Sequence, residues 1–542
     1  MSLTTFSSLY SAIPVPSLFT IKQPWEPPHL FQPKIVDKKM SRAWTCTQGL
    51  LAGTAGSLAT KNPIPLFIGL SGCLPGANAQ VPIGDEFQVN TFATGSQFRP
   101  SAATLNNGMF VVTWVSDGQD GDAGGIFGQL FDTSGTKVGD EFQVNTNAAN
   151  VQDFPSVTGL TNGNIVVTWS SINGDGSGYG VVGQVLDSTG SKIGGEFPVN
   201  TNTFASQWKS SVTSTSNGGF AIAWQSDQGQ DGDGAGIYGQ LFDASGAKIN
   251  GEFQANTYSS GHQIVPKIAT LSDGRLVILW EGDDKISPTY STIYGQLFTP
   301  NATKIGNEFK VSSVSGGLYE SDPSVTSLNS GFVADWTSTG RDGDQHGIFG
   351  QLFNASGAKA GVDYPVNTFT TSRQYRSSTA SSDSGRLATA WTSLTQDGDG
   401  AGVYGQFFDP TGAKAGNEFQ ANAYTTSSQT NPSVVFLDSN RIVVAWKSTG
   451  QDGDAGGIFA RIFSDTSAST SSSTTEASTT TSTSPTSTSA SPTTSTSPSS
   501  TSASPTNGAP SSPVASSSSR LKSGYLWFWA ATLGLIRKAF SR

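Results

Sequence analysis

The chain has 542 residues, of which 63 are glycine and 12 are tryptophan, and only 13% are charged. This composition favours a turn-rich β protein over a helical one. Residues 80–465 hold 37 acidic and 19 basic side chains, a net charge of −18, and a domain this acidic repels nucleic acid and anionic lipid and favours cations or cationic surfaces, so we expect no nucleic-acid binding.

Residues 1–79 are predicted to be a leader with an export signal. An apolar run at 64–70 is followed by Ala77-Asn-Ala79, the pattern after which signal peptidase cleaves, so cleavage is expected after Ala79. The run Leu70-Ser-Gly-Cys73 resembles a bacterial lipobox, and lipidation of Cys73 is the alternative. Met40 is an alternative start of the chain.

Both cysteines, Cys46 and Cys73, lie in this leader. The rest of the chain is therefore predicted to have neither disulfides nor thiol chemistry. This does not argue against export, because a large secreted domain can rely on its hydrophobic core instead.

Seven tryptophans mark an internal repeat in residues 81–464. Each unit has four segments rich in β-branched and aromatic residues, separated by turns such as Asn-Gly and Ser-Gly. In the first unit these segments are 101–105, 109–114, 126–131 and 141–145. The pattern predicts an all-β protein. The tryptophans, 55 or 56 residues apart, are Trp114, Trp169, Trp224, Trp280, Trp336, Trp391 and Trp446.

Four antiparallel strands repeated seven times predict a seven-bladed β-propeller of four-stranded antiparallel blades. The fourth-strand motif Glu-Phe-Gln-Val-Asn first occurs at 86–90, before any complete unit, whereas the seventh unit ends at Phe463 without a copy. We therefore expect this N-terminal strand to complete the seventh blade and close the ring, which removes an open sheet edge. A linear array of small β-sandwiches is the alternative, although 55 residues are few for a sandwich with its own core.

Residues that recur in every unit are predicted to serve the fold. The recurring tryptophan is expected to fill the space between neighbouring blades. The glutamine of the third strand and the acidic residue that opens the fourth strand are expected to make structural hydrogen bonds. A catalytic residue, in contrast, is expected to break the sevenfold symmetry.

The loop between the second and third strands carries two acidic residues separated by one glycine. Carboxylates at this spacing can turn several oxygens toward one point, and Ca²⁺ prefers six to eight oxygen ligands, so we predict calcium sites here. The alternative is that Asp-Gly-Asp is turn chemistry on a solvated rim. The fourth unit departs from the pattern with Asp283-Asp284-Lys285. The candidate metal ligands are Asp120, Asp122, Asp175 (beside Asn173), Asp231, Asp233, Asp342, Asp344, Asp397, Asp399, Asp452 and Asp454.

An up-and-down blade places these acidic loops on the same face as the links between blades. That face is the first candidate for a binding surface. Units such as Gln230-Asp-Gly-Asp-Gly followed by Gly236-Ile-Tyr-Gly-Gln-Leu-Phe-Asp243 resemble repeats of large exported bacterial surface proteins, often found beside hemolysin-type calcium-binding repeats. The loops are also loosely similar to those of integrin-type (FG-GAP) propellers. The resemblance implies an extracellular, calcium-linked, adhesive role, but the nonapeptide calcium repeats themselves are absent here.

Residues 465–519 are almost entirely Ser, Thr, Ala and Pro and are predicted to form a disordered stalk. Residues 520–542 contain a short apolar run, 525–536, flanked by basic residues. As a helix it spans about 18 Å, less than a hydrocarbon core of about 30 Å, so a tilted membrane anchor or a sorting tail is expected. A signal, a head, a stalk and an anchor predict a protein at the cell surface, associated with the membrane or cell envelope through its C-terminal tail.

The leading functional hypothesis is a secreted or surface-displayed, non-enzymatic protein that binds an extracellular protein or glycan. A monomeric propeller is expected. The alternatives are an extracellular enzyme of the glycoside hydrolase or lyase type, and a structural spacer. Residues 80–464 contain only two histidines, His262 and His346, and show no nucleophile motif. The aberrant fourth unit, with Glu281, is where we expect asymmetry.

Overall fold

The computed structural model describes residues 80–285, 289–314 and 317–465, and every regular element in these ranges is a β-strand. No helix in the described ranges is long and apolar enough to cross a membrane. The predicted leader, stalk and C-terminal tail lie outside the described residues. Their predictions therefore stay predictions.

Seven four-stranded antiparallel sheets, the blades, follow one another along the chain. Blades 1 to 3 consist of β2 (Gln97–Thr104), β3 (Phe110–Asp117), β4 (Gly124–Phe131) and β5 (Lys137–Gln143); β6 (Gln152–Gly159), β7 (Ile165–Ile172), β8 (Tyr179–Leu186) and β9 (Lys192–Pro198); and β10 (Gln207–Ser214), β11 (Phe220–Ser226), β12 (Gly236–Phe242) and β13 (Lys248–Gln254).

Blades 4 to 7 have the same organisation. They consist of β14 (Gln263–Thr270), β15 (Leu276–Asp283), β16 (Ser291–Phe298) and β17 (Lys304–Lys310); β18 (Glu320–Leu328), β19 (Gly331–Thr339), β20 (His346–Asn354) and β21 (Lys359–Pro365); β22 (Gln374–Ser381), β23 (Leu387–Leu394), β24 (Ala401–Phe408) and β25 (Lys414–Gln420); and β26 (Gln429–Phe436), β27 (Arg441–Ser448), β28 (Gly457–Ser464) and β1 (Val81–Gln88).

The N-terminal strand closes the ring, as predicted. β1 pairs antiparallel with β28 and is the outer strand of blade 7. The first strand of each blade, called the inner strand, contacts the inner strands of both neighbouring blades, and β26 contacts β2 in the same way. The predicted all-β, seven-bladed propeller with a closing N-terminal strand is therefore confirmed, and the sandwich array is excluded.

The boundaries of all four strands of blade 1 differ from the prediction, and the differences are largest in the inner and outer strands. Inner strand β2 begins four residues before the predicted 101–105, because the chain continues to pair with β3 across a bulge. Outer strand β5 ends at Gln143, and Asn145, predicted as its last residue, instead accepts a hydrogen bond from the backbone N–H of Ile126 (2.8 Å).

The hydrophobic core lies between neighbouring blades. Each of the seven recurring tryptophans is at most 1% exposed, and each packs with apolar side chains from two adjacent blades. Burial of such a large aromatic surface gives the packing much of its energy. This confirms the prediction that the tryptophans fill the space between blades.

The other repeated residues also serve the fold, as predicted. The Gln129 amide donates hydrogen bonds to the carbonyl oxygens of Leu130 and Val138, which join the third and fourth strands of a blade. In blade 4, Glu308 accepts a hydrogen bond from the backbone N–H of Thr257 (2.8 Å), and Lys304 donates to the Asn256 carbonyl oxygen (2.9 Å). Outer strands are thus fastened to the preceding blade.

One buried carboxyl makes the stability of the core depend on pH. Asp335 of β19 is 1% exposed and accepts a hydrogen bond from the Thr389 hydroxyl of blade 6 (2.6 Å). Burial raises the pKa of Asp335 from 3.8 to about 7. The folded protein therefore keeps this proton where the unfolded chain has lost it, and stability falls as the pH rises from about 4 to about 7.

We expect this carboxyl to cost the folded state on the order of 4 kcal/mol above pH 7 relative to acidic pH, at about 1.36 kcal/mol for each unit of pKa difference. Asp335→Asn keeps the shape and removes the titration, so the variant gains stability relative to wild type as the pH rises. Urea unfolding of both proteins across this pH range measures the difference. A constant difference at all pH values would contradict the prediction.

Candidate functional site

Each inner strand carries a β-bulge near its start. The pairing register with the second strand shifts there, and one residue adopts a left-handed backbone conformation with φ between 51° and 58°. Few residues other than glycine, asparagine or aspartate adopt this conformation, so its presence in all blades shows that the fold imposes it. The bulge residues are Arg99, Phe154, Lys209, Val265, Asp322, Arg376 and Asn431.

The backbone of the bulge is the same in every blade, whereas its side chain is not. The seven residues include two arginines, a lysine, an aspartate and a phenylalanine. The fold fixes the backbone at this position but not the identity of the side chain. The side chains therefore break the sevenfold symmetry. By the argument that functional residues break symmetry, the bulges mark the candidate site.

The bulges surround an open cleft of about 750 Å³ at the mouth of the central channel, the space enclosed by the inner strands. Inner strands of all seven blades line it. The cleft lies on the face with the acidic loops, because the inner strands start there: the backbone N–H of Asn150, just before β6, donates to the Asp122 carboxylate (2.7 Å).

The lining of the cleft has the opposite charge to the rest of the propeller. Among the described residues, one acidic side chain, Asp322, lines the cleft together with five basic ones. The acidic sequence led us to expect affinity for cations; the lining of this cleft is instead mostly basic, and cation binding by the propeller stays a prediction. The basic residues are Arg99, Lys209, Lys267, Arg376 and Lys447.

The three lysines of the cleft have no carboxylate partner within the described chain, where the ion pairs involve other residues. Burial lowers the pKa of Lys209, Lys267 and Lys447, although nearby carboxylates act in the opposite direction. A partly buried ammonium group without a counterion is unfavourable. The cleft is therefore electrostatically prepared for an anion.

The two arginines are held by neighbouring side chains. Arg99 forms an ion pair with Asp153, and its guanidinium lies 3.6 Å from the centre of the Phe154 ring. Arg376 donates a hydrogen bond to the Asn431 side-chain oxygen (2.7 Å). These contacts fix the orientation of both guanidinium groups at the rim of the cleft.

Aromatic rings form the wall of the cleft at blades 2 and 3. Phe154 and Trp208 meet edge to face, with ring centres 5.7 Å apart, and Tyr179 stacks on the other side of Trp208 at 5.9 Å. Lys209 lies 4.5 Å from the centre of the Trp208 ring. Trp208 does not belong to the repeated series, and it offers an apolar surface beside the cations.

The residue after each core tryptophan can support the bulge of the next blade. In four blades a neutral oxygen accepts a hydrogen bond from the backbone N–H of the bulge residue. These pairs are Lys209 with Ser170 (3.0 Å), Val265 with Gln225 (3.3 Å), Arg376 with Thr337 (3.3 Å) and Asn431 with Thr392 (3.2 Å).

Blade 4 has a carboxyl group at this position. Glu281 is partly buried behind Asp322, and its carboxyl faces the Asp322 backbone N–H and the Ser291 hydroxyl. Burial, and then the charge of Asp322, raise the pKa of Glu281 to about 7, while Lys209 acts in the opposite direction. A neutral oxygen would support the bulge, so the fold does not require this acid.

The rest of the aberrant fourth unit has structural contacts. Asp283 accepts a hydrogen bond from the backbone N–H of His262 (2.9 Å), and Asp284 pairs with Lys310 (3.0 Å). Neither carboxylate is among the described residues that line the cleft. Glu281 does not line the cleft either, but among the acidic residues of this unit its carboxyl contacts a lining residue, through the Asp322 backbone N–H.

The first acidic residue of most acidic loops braces its own blade. Its carboxylate accepts a hydrogen bond from the asparagine that follows the outer strand. These pairs are Asp120 with Asn145 (2.9 Å), Asp175 with Asn200 (2.6 Å), Asp231 with Asn256 (2.7 Å), Asp342 with Asn367 (3.2 Å) and Asp397 with Asn422 (3.3 Å). Asp452 accepts a hydrogen bond from the Asp454 backbone N–H (3.3 Å).

The second acidic residue braces the link to the next blade by accepting a backbone N–H. These pairs are Asp122 with Asn150 (2.7 Å), Asp233 with Gly261 (3.1 Å), Asp344 with Ser372 (2.7 Å), Asp399 with Ser427 (2.9 Å) and Asp454 with Gly95 (2.9 Å). In the part of the chain that the structure describes, no three His, Cys, Asp or Glu side chains are grouped to hold a metal ion. Calcium binding at these loops stays a prediction.

The sequence reasoning missed the basic and aromatic residues of the cleft. Two signals could have found them. Trp208 is the one tryptophan of residues 80–465 outside the recurring series. The other signal is a position that recurs about every 55 residues, at 99, 154, 209, 265, 322, 376 and 431, with basic, acidic, aromatic, aliphatic and amide side chains. The search for repeated motifs passes over a position that does not repeat.

The chain matches no protein-family model and no curated protein sequence. Several solved structures are similar. A protein of unknown function from Dyadobacter fermentans DSM 18053 is 13% identical and covers 59% of this chain and 97% of its own, with a TM-score of 0.44. The polysaccharide lyase Uly1 is 10% identical over 72% and 95%, with a TM-score of 0.43.

An α-L-arabinanase from Penicillium chrysogenum, complexed with arabinobiose, is 14% identical over 72% of this chain and 99% of its own, with a TM-score of 0.40. None of these values transfers an activity to this chain. They do correct one expectation: the sequence analysis predicted a protein that is not an enzyme, whereas the similar structures include an arabinanase and a polysaccharide lyase. That prediction is withdrawn, and the resemblance to hemolysin-type surface proteins is not confirmed.

Proposed function

We propose that the protein is an extracellular enzyme that binds an acidic saccharide in the central cleft and cleaves one of its glycosidic bonds. The observation that carries the proposal is the set of five basic side chains lining the cleft of a propeller whose net charge is −18. The extracellular location rests on the predicted export signal. Display through the predicted stalk and C-terminal tail is part of the same proposal.

An anionic ligand would supply counterions for the basic side chains of the cleft. Lys209, Lys267 and Lys447 have no carboxylate partner among the described residues, and a ligand carboxylate or sulfate would provide one in a setting with little water. Walls of low dielectric constant also focus the field of these charges on the cleft.

The aromatic wall favours a saccharide among anionic ligands. The faces of sugar rings carry C–H groups that pack on aromatic side chains, and Phe154 and Trp208 present such surfaces next to Arg99 and Lys209. Polar groups of the lining, including Asn431 and Ser377, can bond to sugar hydroxyls. An open cleft with a few placed polar groups is a typical ligand site.

Asp322 and Glu281 supply the acid–base chemistry of the proposed cleavage. Asp322 lines the cleft, and Glu281 lies directly behind it. A pKa of about 7 lets Glu281 transfer a proton at neutral pH. Hydrolysis adds water across the glycosidic bond. Elimination moves a proton from the carbon beside a carboxylate to the leaving oxygen and leaves a double bond in the sugar.

The test uses the full-length protein with polyuronates, sulfated polysaccharides and neutral polysaccharides of matched length. Calorimetry measures binding, and chromatography with ultraviolet detection measures the products, since elimination creates an absorbing double bond. We expect acidic chains to bind and to be shortened and neutral chains to bind at least about tenfold more weakly. Equal affinity for neutral chains, or no cleavage of any bound acidic chain, would overturn the proposal.

Two variants test the residues. The double variant Lys209→Asn with Lys447→Thr replaces two lysines by residues found at the equivalent positions of other blades, Asn431 in blade 7 and Thr392 in blade 6. It should weaken the binding of acidic chains at least about tenfold. Lys248→Gln, on an outer strand, is the control with unchanged affinity.

Glu281→Gln should keep the affinity and lower the cleavage rate at least about 100-fold. The wild-type rate should also show a titration near pH 7 that the variant lacks. Wild-type rates in the Glu281→Gln variant would remove this residue from the mechanism.

A further inference from the structure

A ring of serines lies below the bulges on the inner strands. Two residues after the bulge, each blade except blade 4 has a serine: Ser101, Ser156, Ser211, Ser324, Ser378 and Ser433. Five of their hydroxyls accept a hydrogen bond from a backbone N–H of the next blade, for example Ser433 from Ala102 (3.0 Å) and Ser324 from Thr379 (3.0 Å). The ring therefore joins neighbouring blades around the channel.

Blade 4 has Lys267 at this position. An ammonium group donates hydrogen bonds and cannot accept one, so Lys267 cannot replace the serine contact to the next blade. The side chain is exposed to the channel, yet protein surrounds it closely enough that burial lowers its pKa. It forms no ion pair with any described residue. The fold loses a contact here and gains a positive charge without an ion pair among the described residues.

We infer that Lys267 forms an anion subsite inside the channel, which takes one carboxylate or sulfate ester group of the saccharide bound at the mouth. The inference rests on the proposed function, since the same ligand occupies both places. Lys267 lies two residues beyond the bulge position, roughly 6 Å deeper along the strand. The group that reaches it must point along the channel axis.

The surroundings of Lys267 fit an anion that enters from the mouth. The lining next to it includes Ser324, whose hydroxyl accepts the Thr379 N–H and keeps its own hydrogen for donation. Asp322 stands at the bulge of the next blade, and its charge acts on both Lys209 and Lys267. Lys209 is also near Glu281 and Asp227, whereas Asp322 is the one carboxylate among the described residues found to act on Lys267, and it forms no ion pair with it.

The test variant is Lys267→Ser in the full-length protein. It installs the residue of the six other blades and a hydroxyl that can accept the inter-blade hydrogen bond, so the variant should fold and melt at or above the wild-type temperature. Its affinity for acidic saccharides should fall at least about tenfold, because one charge-assisted contact is lost. Lys267→Arg, which keeps the charge, should retain most of the affinity.

Two series of ligands identify the anionic group. Chains that carry only carboxylates and chains that carry only sulfate esters are titrated into wild type and Lys267→Ser, and the group recognised is the one whose affinity the variant loses. Unchanged affinity of Lys267→Ser for an acidic chain that wild type binds would overturn this inference and leave the proposed function intact. If wild type bound no acidic chain, both this inference and the proposed function would be overturned. A greater stabilisation of wild type than of the variant by inorganic sulfate would not change that conclusion.

Discussion

Replacing Trp224 by alanine is expected to lower the free energy of unfolding by about 3–5 kcal/mol. The Trp224 side chain is 0% exposed and packs against apolar residues of blades 2 and 3, including Val166 and Val181. Removal of the indole leaves a cavity that rigid strands on both sides cannot fill. Denaturant unfolding followed by circular dichroism measures the loss.

Trp208→Ala is the matched control, because both tryptophans belong to blade 3 but Trp224 lies in the core and Trp208 lines the cleft. Trp208 is partly exposed on the wall of the cleft. Its loss should therefore cost about 1 kcal/mol or less in stability, while weakening the binding of acidic saccharides. Equal destabilisation by the two substitutions would contradict the assignment of Trp224 to the core and Trp208 to the site.

Deletion of residues 81–88 is expected to abolish the stable fold. These residues form β1, whose pairing with β28 completes blade 7, and the following residue Val89 is buried between blades 7 and 1. Without β1, the backbone groups of β28 face solvent as an open edge that can pair with other chains. Size-exclusion chromatography and thermal melting should show aggregation or a broad transition at lower temperature.

A rearranged chain tests whether the missing strand itself is the cause. Residues 81–90 are moved behind Ser464 and joined through a copy of the turn at 243–247, which connects the third and fourth strands in blade 3. All four strands of blade 7 then follow one another in the chain, as in the other blades, and the propeller should form again. Its melting temperature should be lower than that of wild type, because no strand from the N-terminal end pairs with β28 to close the ring. Wild-type melting of the simple deletion would show that closure contributes nothing.

The location of the cleft could not be predicted from the repeats alone. Arg99, Lys209 and Arg376 are separated by more than 100 residues in sequence, yet the ring places them around one opening. No single unit contains the cleft, because each blade contributes only the few residues around its bulge. The sequence argument chose the face on which the cleft lies, but it singled out the repeated aspartates there, whose carboxylates hold loops and links.

The sequence by itself determined the number of blades, the four strands in each, the closing strand and the role of the recurring tryptophans. These features follow from local sequence patterns that recur in each unit, so every inference is supported by up to seven copies. The candidate cleft and the basic character of its lining are visible only in the closed ring, which brings residues of all seven inner strands together. Acidic residues brace the loops at the rim, whereas the basic residues of the cleft stand at positions whose side chain does not repeat. They come together near the axis only because the ring of blades is closed.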